Sequence, residues 1–301
     1  MLYPLFFIPV YKDYIWGGTR IRKTFHRTEI EGKVAESWEI SCHPDGMSII
    51  ENGPLKGKSL LELFETDREA LMGKDAGLEQ FPLLLKIIDA ADHLSVQVHP
   101  NAGKEAKTEC WYLLDSEKDS VVYAGFKDHF PKEEIFKKLP SDKILELMRK
   151  VPVNKGEMIS IPGGRLHAIG AGCLIFEIQQ TSNTTYRIYD WGRGRKCHLE
   201  EAKGVMLYDD VHDPRITPKV ITETPSFTQV ELIRTPFFVV EKWEIKKKMV
   251  WPKKKNQCEF LFSISGKNSL IPMGRSSLIP AMCKPPVIET DGSTLLRAYI
   301  P

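Results

Sequence analysis

The sequence predicts a mainly β protein, a barrel or jelly roll built from many short strands. Three observations carry that expectation. Polar and apolar residues alternate with a period of two in runs such as ESWEIS (36–41), LSVQVHPN (94–101) and FFVVEKWEI (237–245). Glycine and proline turns, among them HPDG (43–46) and PGG (162–164), separate such runs at short intervals. Many short strands joined by such turns argue against a doubly wound sheet. The nucleotide, serine-hydrolase and helical-zincin readings lack their motifs, since no GxGxxG follows a strand and GxxxxGK[ST], GxSxG and HExxH are absent.

The bulk properties are those of an ordinary soluble chain. Its 301 residues, 42% hydrophobic and 27% charged, suffice for a substantial core and for more than one structural unit. Lys and Arg total 42 against 40 Asp and Glu, so whole-chain charge gives no reason to expect nucleic acid or a membrane surface as partner. The aromatic start, MLYPLFFIPVYKDYIWGG, is broken by Pro4, Pro9, Lys12 and Asp13 before it could span a bilayer. It lacks the pattern of an export signal. Six cysteines without a CxxC pair fit a reduced chain, and the expected location is cytoplasmic.

In chain order, the start reads as a first strand with an irregular continuation, and in ESWEIS Trp38 and Ile40 face away from Glu39 and Ser41. SLLELFETDREALM (59–72) has helical spacing with Ser59 as a cap. FPLLLKIIDA (81–90) is too short and apolar to assign by period, and it carries Lys86, which either snorkels or meets an anion. The loop NAGKEAKTEC enters a strand near Cys110, with Glu109 at the junction. PKEEIFKKLPSDKILELMRK (131–150) predicts two short helices separated by Pro140 and Ser141. Residues 158–161 form a strand, PGG delivers His167, and Leu174, Phe176 and Ile178 face a core while Glu177 and Gln179 face the histidine side. Arg187 and Tyr189 share one face of a further strand. The basic run KKKMVWPKKKN (246–256) reads as the solvated end of a hairpin.

LSVQVHPN is the most informative stretch. As a strand it turns Leu94, Val96 and Val98 one way and Ser95, Gln97 and His99 the other. Gln97 and His99 could share a metal ion, although a hydrogen-bonded strand pair fits the same spacing. Adding Glu109 and His167 gives one amide oxygen, two imidazoles and a carboxylate, a plausible set for a divalent metal if the fold stacks their strands.

Five stretches in order, ESWEIS, LLLKIIDA with LSVQVHPN, KTECWY (107–112), IPGGRLHAIG (161–170) and EIQQTSNTTYRIYDWGR (177–193), resemble the type I mannose-6-phosphate isomerase family of cupins. The resemblance implies a cupin jelly-roll barrel with a small helical insert and a second, C-terminal cupin-like β domain. The domains expected are 1–225, metal-binding and catalytic with the insert at 131–150, and 226–301, divergent and shortened. It implies one zinc ion per chain on Gln97, His99, Glu109 and His167. Arg187 matches the arginine regarded as catalytic; Lys86, Ser95 and Glu177 match pocket positions.

The implied reaction interconverts D-mannose 6-phosphate and D-fructose 6-phosphate through a cis-enediol-like intermediate, with zinc as Lewis acid. The partner is then a phosphorylated hexose, and the chain a monomer or a homo-oligomer. Arg187, too weak an acid to serve readily as a base, stabilises charge and orients substrate. Glu177, His99 or a metal-bound water moves the proton, and Lys86 and Ser95 contact phosphate or sugar oxygens. Two other readings are a carbohydrate-responsive cupin without turnover and a cupin oxygenase using iron.

Overall fold

In the computed structural model, which describes residues 2–301, short strands dominate and helices are few. No helix among the described residues is long and apolar enough to cross a membrane. The six cysteines are free, four of them buried.

Contacts divide the chain into two compact units, one made of Tyr11–Ser37 and Lys86–Arg215, the other of the chain up to Val10, Trp38–Leu85 and Ile216–Pro301. This interleaved division differs from the expected cut between 225 and 226. The reason is the apolar side of the helix Leu60–Thr66: Phe64 meets Phe81 edge-on, and Phe81 meets Phe260 of the C-terminal strands in the same way. A buried helix face seeks the nearest complementary surface in space, whatever its place in the sequence.

One sheet, whose first three strands lie wholly in the unit holding Lys86–Arg215, runs in the order Met158–Ile161, Glu109–Ser116, Cys173–Gln180, Leu83–Ala90, Glu36–Ile40, Val10–Lys12. A second runs Tyr186–Tyr189, Val96–Val98, His167–Ile169, Val121–Phe126, Met148–Pro152. Ile88, Trp111, Leu113, Ile159 and Ile175 from the first sheet pack with Val122, Ala124, Val151 and Ile169 from the second. The second sheet's other face is covered by the expected helical insert, now the helix Lys132–Lys138 and the 3-10 turn Asp142–Glu146, and by the helix Leu199–Val205. Val96, Val98 and Ile188 are buried there with Ile135, Ile144, Ala202 and Met206. At about 1.5–3 kcal/mol for each large aliphatic side chain buried, this packing decides which face of Val96–Val98 turns inward. Leu94 departs from the expected alternation: it precedes the strand and joins the core between the sheets.

In the other unit the sheet order is Lys219–Glu223, Phe227–Arg234, Val239–Ile245, Thr290–Tyr299, Glu259–Asn268, Ser276–Ile279. The helix expected over 59–72 starts on a Ser59–Glu62 capping box but breaks at Asp67, where Arg68 Nε donates to the Phe64 carbonyl and ends the first segment. The basic run is not simply a solvated hairpin end. Met249–Val250 pairs with Val287–Ile288, Trp251 is fully buried, and the Lys253 ammonium donates to the carbonyls of Lys254, Gln257 and Ala281.

Candidate metal centre and active-site cavity

The second sheet places three candidate residues in one row. Arg187 is the register partner of Gln97, and Gln97 is the partner of His167. Side chains opposite one another on adjacent strands share a face, and the other face of Val96–Val98 is already committed to the helices. Gln97, His167 and Arg187 therefore face the interior together. His99 follows directly after this strand, and its carbonyl accepts from Gly164 N at 2.9 Å. That contact requires glycine at the neighbouring turn position, because a Cβ on Gly163 would lie 2.7 Å from the Pro100 carbonyl oxygen. From the first sheet, Glu109 enters opposite Gln179, and Glu177 stands opposite Trp111.

His99, Glu109 and His167 converge, each offering one ligand atom within 4.8 Å of the others. All three are about 1% exposed. His99 Nε2 is 3.5 Å from Glu109 Oε2, and His167 Nε2 is 3.7 Å from Glu109 Oε1. On the far side of each ring a backbone carbonyl fixes the tautomer: His99 Nδ1 is 2.9 Å from Thr184 O and His167 Nδ1 is 2.8 Å from Arg165 O. A carbonyl only accepts, so both Nδ1 atoms carry the proton and both Nε2 lone pairs point toward Glu109. Burial, then the Lys107 charge and His167, hold His99 well below the ordinary histidine range. Burial pushes His167 down to about 4 against the carbonyl of Arg165, which works upward. Arg165 is itself fixed by two bonds to Asp210, of 2.6 and 2.7 Å.

Gln97 lies beside this cluster with its amide otherwise engaged. Its Nε2 is 3.3 Å from His167 Nε2, and its Oε1 accepts from Ser95 Oγ at 3.0 Å. A half-turn of the amide exchanges the two atoms and brings the oxygen toward His167. Sequence reasoning missed Lys107. Its Nζ is 2.8 Å from Glu109 Oε2 and 3.1 Å from His99 Nε2, and the residue is only 4% exposed. The available signal was the KTE spacing, which puts Lys107 and Glu109 on the same side of an extended chain.

A cavity of about 270 Å³ opens beside the cluster, lined among others by Lys86, Ser95, Gln97, Lys107, Glu109, Glu177, Arg187 and Arg195. Lys86 Nζ is 3.0 Å from Glu177 Oε1 and 3.5 Å from Glu36 Oε2. Burial works to lower the Lys86 ammonium's pKa, but Glu177, Glu36 and Glu109 outweigh it and leave the pKa raised. Glu177 Oε2 accepts from Trp111 Nε1 at 2.8 Å, so one oxygen of the carboxylate is hydrogen-bonded and the other is ion-paired with Lys86.

Asp190, which could have paired with Arg187, is instead held by Arg195 through bonds of 2.7 and 2.6 Å. Arg187 forms no ion pair among the described residues; it donates to the Lys196 carbonyl, and its buried Nε has no hydrogen-bond partner. Burial and Arg195 lower its pKa, with Asp190 opposing.

The donor set fits a divalent metal on the chain's own chemistry. Two neutral imidazoles present unprotonated Nε2 atoms toward a carboxylate whose Oε2 receives no directed hydrogen bond. Such a mixture of nitrogen and oxygen donors, each imidazole backed by a fixed second contact, suits zinc and its neighbours in the transition series.

The family model for the catalytic domain of type I phosphomannose isomerase matches residues 5–137. Mannose-6-phosphate isomerase ManA of Bacillus subtilis is 38% identical over 262 residues, covering 80% of this chain and 79% of the relative. Mannose-6-phosphate isomerase of Streptococcus mutans is 36% identical over 264 residues, covering 81% and 80%. Among solved structures, mannose 6-phosphate isomerase from Bacillus subtilis superposes with a TM-score of 0.90 at 29% identity, covering 99% of this chain and 100% of that one. The architecture described above is thus the cupin fold of those proteins. By fold and by sequence over four fifths of its length, the chain belongs to the type I mannose-6-phosphate isomerase family.

Proposed function

We propose that the protein is a zinc-dependent mannose-6-phosphate isomerase that interconverts D-mannose 6-phosphate and D-fructose 6-phosphate in the cytoplasm. The observation that carries this reading is the convergence of two Nε2 lone pairs and the Glu109 carboxylate beside a polar cavity that also holds Lys86, Glu177 and Arg187. The unit holding Lys86–Arg215 is then the catalytic one.

One zinc ion per chain, held by His99, Glu109 and His167 with Gln97 as fourth ligand after its amide turns, would supply Lewis-acid polarisation of the sugar oxygens. The chain's own groups do the rest. Glu177, fixed by Trp111 and Lys86, takes the proton from C2 as that electron pair forms the C1–C2 double bond and the C1 carbonyl π pair moves onto O1. The O2 hydroxyl proton passes to O1, and Glu177 returns its proton to C1 of the cis-enediol-like intermediate as the C2 carbonyl forms. Arg187, with an unspent N–H beside the cavity, binds the anionic substrate and stabilises the charge that develops on its oxygens. Lys86 and Ser95 contact sugar oxygens. Lys86 also keeps Glu177 in place, because two buried carboxylates without a cation would be strongly disfavoured.

The test is to supply mannose 6-phosphate alone and measure fructose 6-phosphate before metal removal, after it, and after zinc is restored. Metal-dependent production is the expected result. Binding without production would favour a carbohydrate-responsive protein, and neither binding nor production would overturn the substrate assignment.

A further inference from the structure

We propose that Lys107 is a built-in stand-in for the metal: its ammonium occupies the donor set when no dication is bound and withdraws into the adjoining cavity when one binds. The proposal rests on the metal-site reading above. Its basis is a competition for the same atoms. Lys107 Nζ is 3.1 Å from His99 Nε2 and 2.8 Å from Glu109 Oε2, two of the three donors of the cluster. The Nδ1 proton of His99 is committed to the Thr184 carbonyl, so Nε2 has one lone pair, which serves an N–H donor or a metal but not both.

The stand-in supplies charge without a ligand's directionality. Glu109 Oε2, despite the ammonium 2.8 Å away, receives no directed hydrogen bond. A buried carboxylate needs a nearby cation, and Lys107 is the cation closest to Glu109 in the ion pairs formed. Its main chain is anchored, since Lys107 N donates to the Pro100 carbonyl at 2.9 Å, while the four-carbon side chain keeps its rotatable bonds. Lys107 also lines the 270 Å³ cavity, so the charge has somewhere to go. Three consequences follow. The metal-free centre keeps its folded arrangement; affinity for the dication is lowered by the competition; and metal loading delivers a second positive group to the space where an anionic substrate would bind.

The experiment measures zinc affinity of the full-length protein by chelator competition, alongside thermal unfolding with and without zinc, for the unchanged chain and for Lys107→Met. The variant is expected to bind zinc at least about tenfold more tightly, the lower end of what one adjacent charge does to an ionised group. Its Tm is expected to fall below that of the unchanged chain without zinc, and the gap to close at saturating zinc. A second measurement needs no variant: acetic anhydride labelling of Lys107, read by peptide mass spectrometry, should increase when zinc is added. Unchanged or weaker zinc affinity in Lys107→Met, or labelling of Lys107 indifferent to zinc, overturns the proposal while leaving the metal site standing. An unchanged chain that takes up no zinc overturns the metal reading and the stand-in with it.

Discussion

Each of the two units buries a cluster of charged side chains, and the clusters differ in how completely they are satisfied. In the unit containing the C-terminal strands, Glu241, Glu259 and Arg297 are at most 3% exposed. Glu241 Oε2 accepts from Gln229, Trp243 and two Arg297 nitrogens, and its Oε1 accepts from Tyr299. Glu259 accepts from Trp251 and from the backbone of Lys254. The Arg297 guanidinium also lies 4.7 Å from the Trp243 ring centre. In the unit with the cavity, Glu109 Oε2, Glu177 Oε1 and Arg187 Nε are buried without a directed hydrogen bond. A satisfied cluster holds a fold together; a cluster with unspent donors and acceptors beside a cavity is ready to hold something else.

The largest expected effect separates the clusters outright. His167→Ala should abolish metal retention and bring isomerisation to background, while circular dichroism shows the fold retained. Arg297→Met should do the reverse: loss of the guanidinium strands Glu241 and costs about 3–5 kcal/mol in unfolding experiments, with kcat per folded molecule unchanged. Arg187→Ala should lower kcat by about 10²–10³-fold, the range for removing one preorganised donor to developing charge, with zinc content unchanged by elemental analysis. Normal turnover in that variant would refute its assigned role.

The smallest effect is a pH dependence of the satisfied cluster. Burial raises the Glu241 pKa, but Arg297, Trp243 and Tyr299 together leave it below the ordinary glutamate value. A depressed folded pKa means that the stabilisation is fully present above the unfolded value of about 4.3 and is lost as pH falls through the folded one. Thermal unfolding followed from pH 6 down past that value should therefore show Tm falling more steeply for the unchanged chain than for Glu241→Gln.

What the sequence revealed was local. Alternation in VQV and the turn chemistry of PGG identified strands and turns, and Pro140 correctly separated two short helices, because each signal acts over a few residues. The row Arg187–Gln97–His167 could not be read from spacing, since it is made by pairing between segments far apart in the chain. Donor chemistry had grouped Gln97 with His167 as a possible metal set, and only resemblance to a family had added Arg187. Lys107 escaped for a different reason: a lysine in a polar loop reads as solvated, and its burial depends on what the fold packs around it. Trp251 among lysines was misread likewise, because six neighbouring charges say nothing about which single ring the core takes in.

Both imidazoles of the centre are oriented by main-chain carbonyls, those of Thr184 and Arg165, and not by side chains. Every amino acid brings a carbonyl, so no single replacement at 184 or 165 deletes the acceptor itself. The proton placement on His99 and His167 is thereby inherited from the path of the chain. What the centre cannot tolerate is rerouting: an inserted or deleted residue between Arg165 and His167 would cost the tautomer even with every ligand still in place.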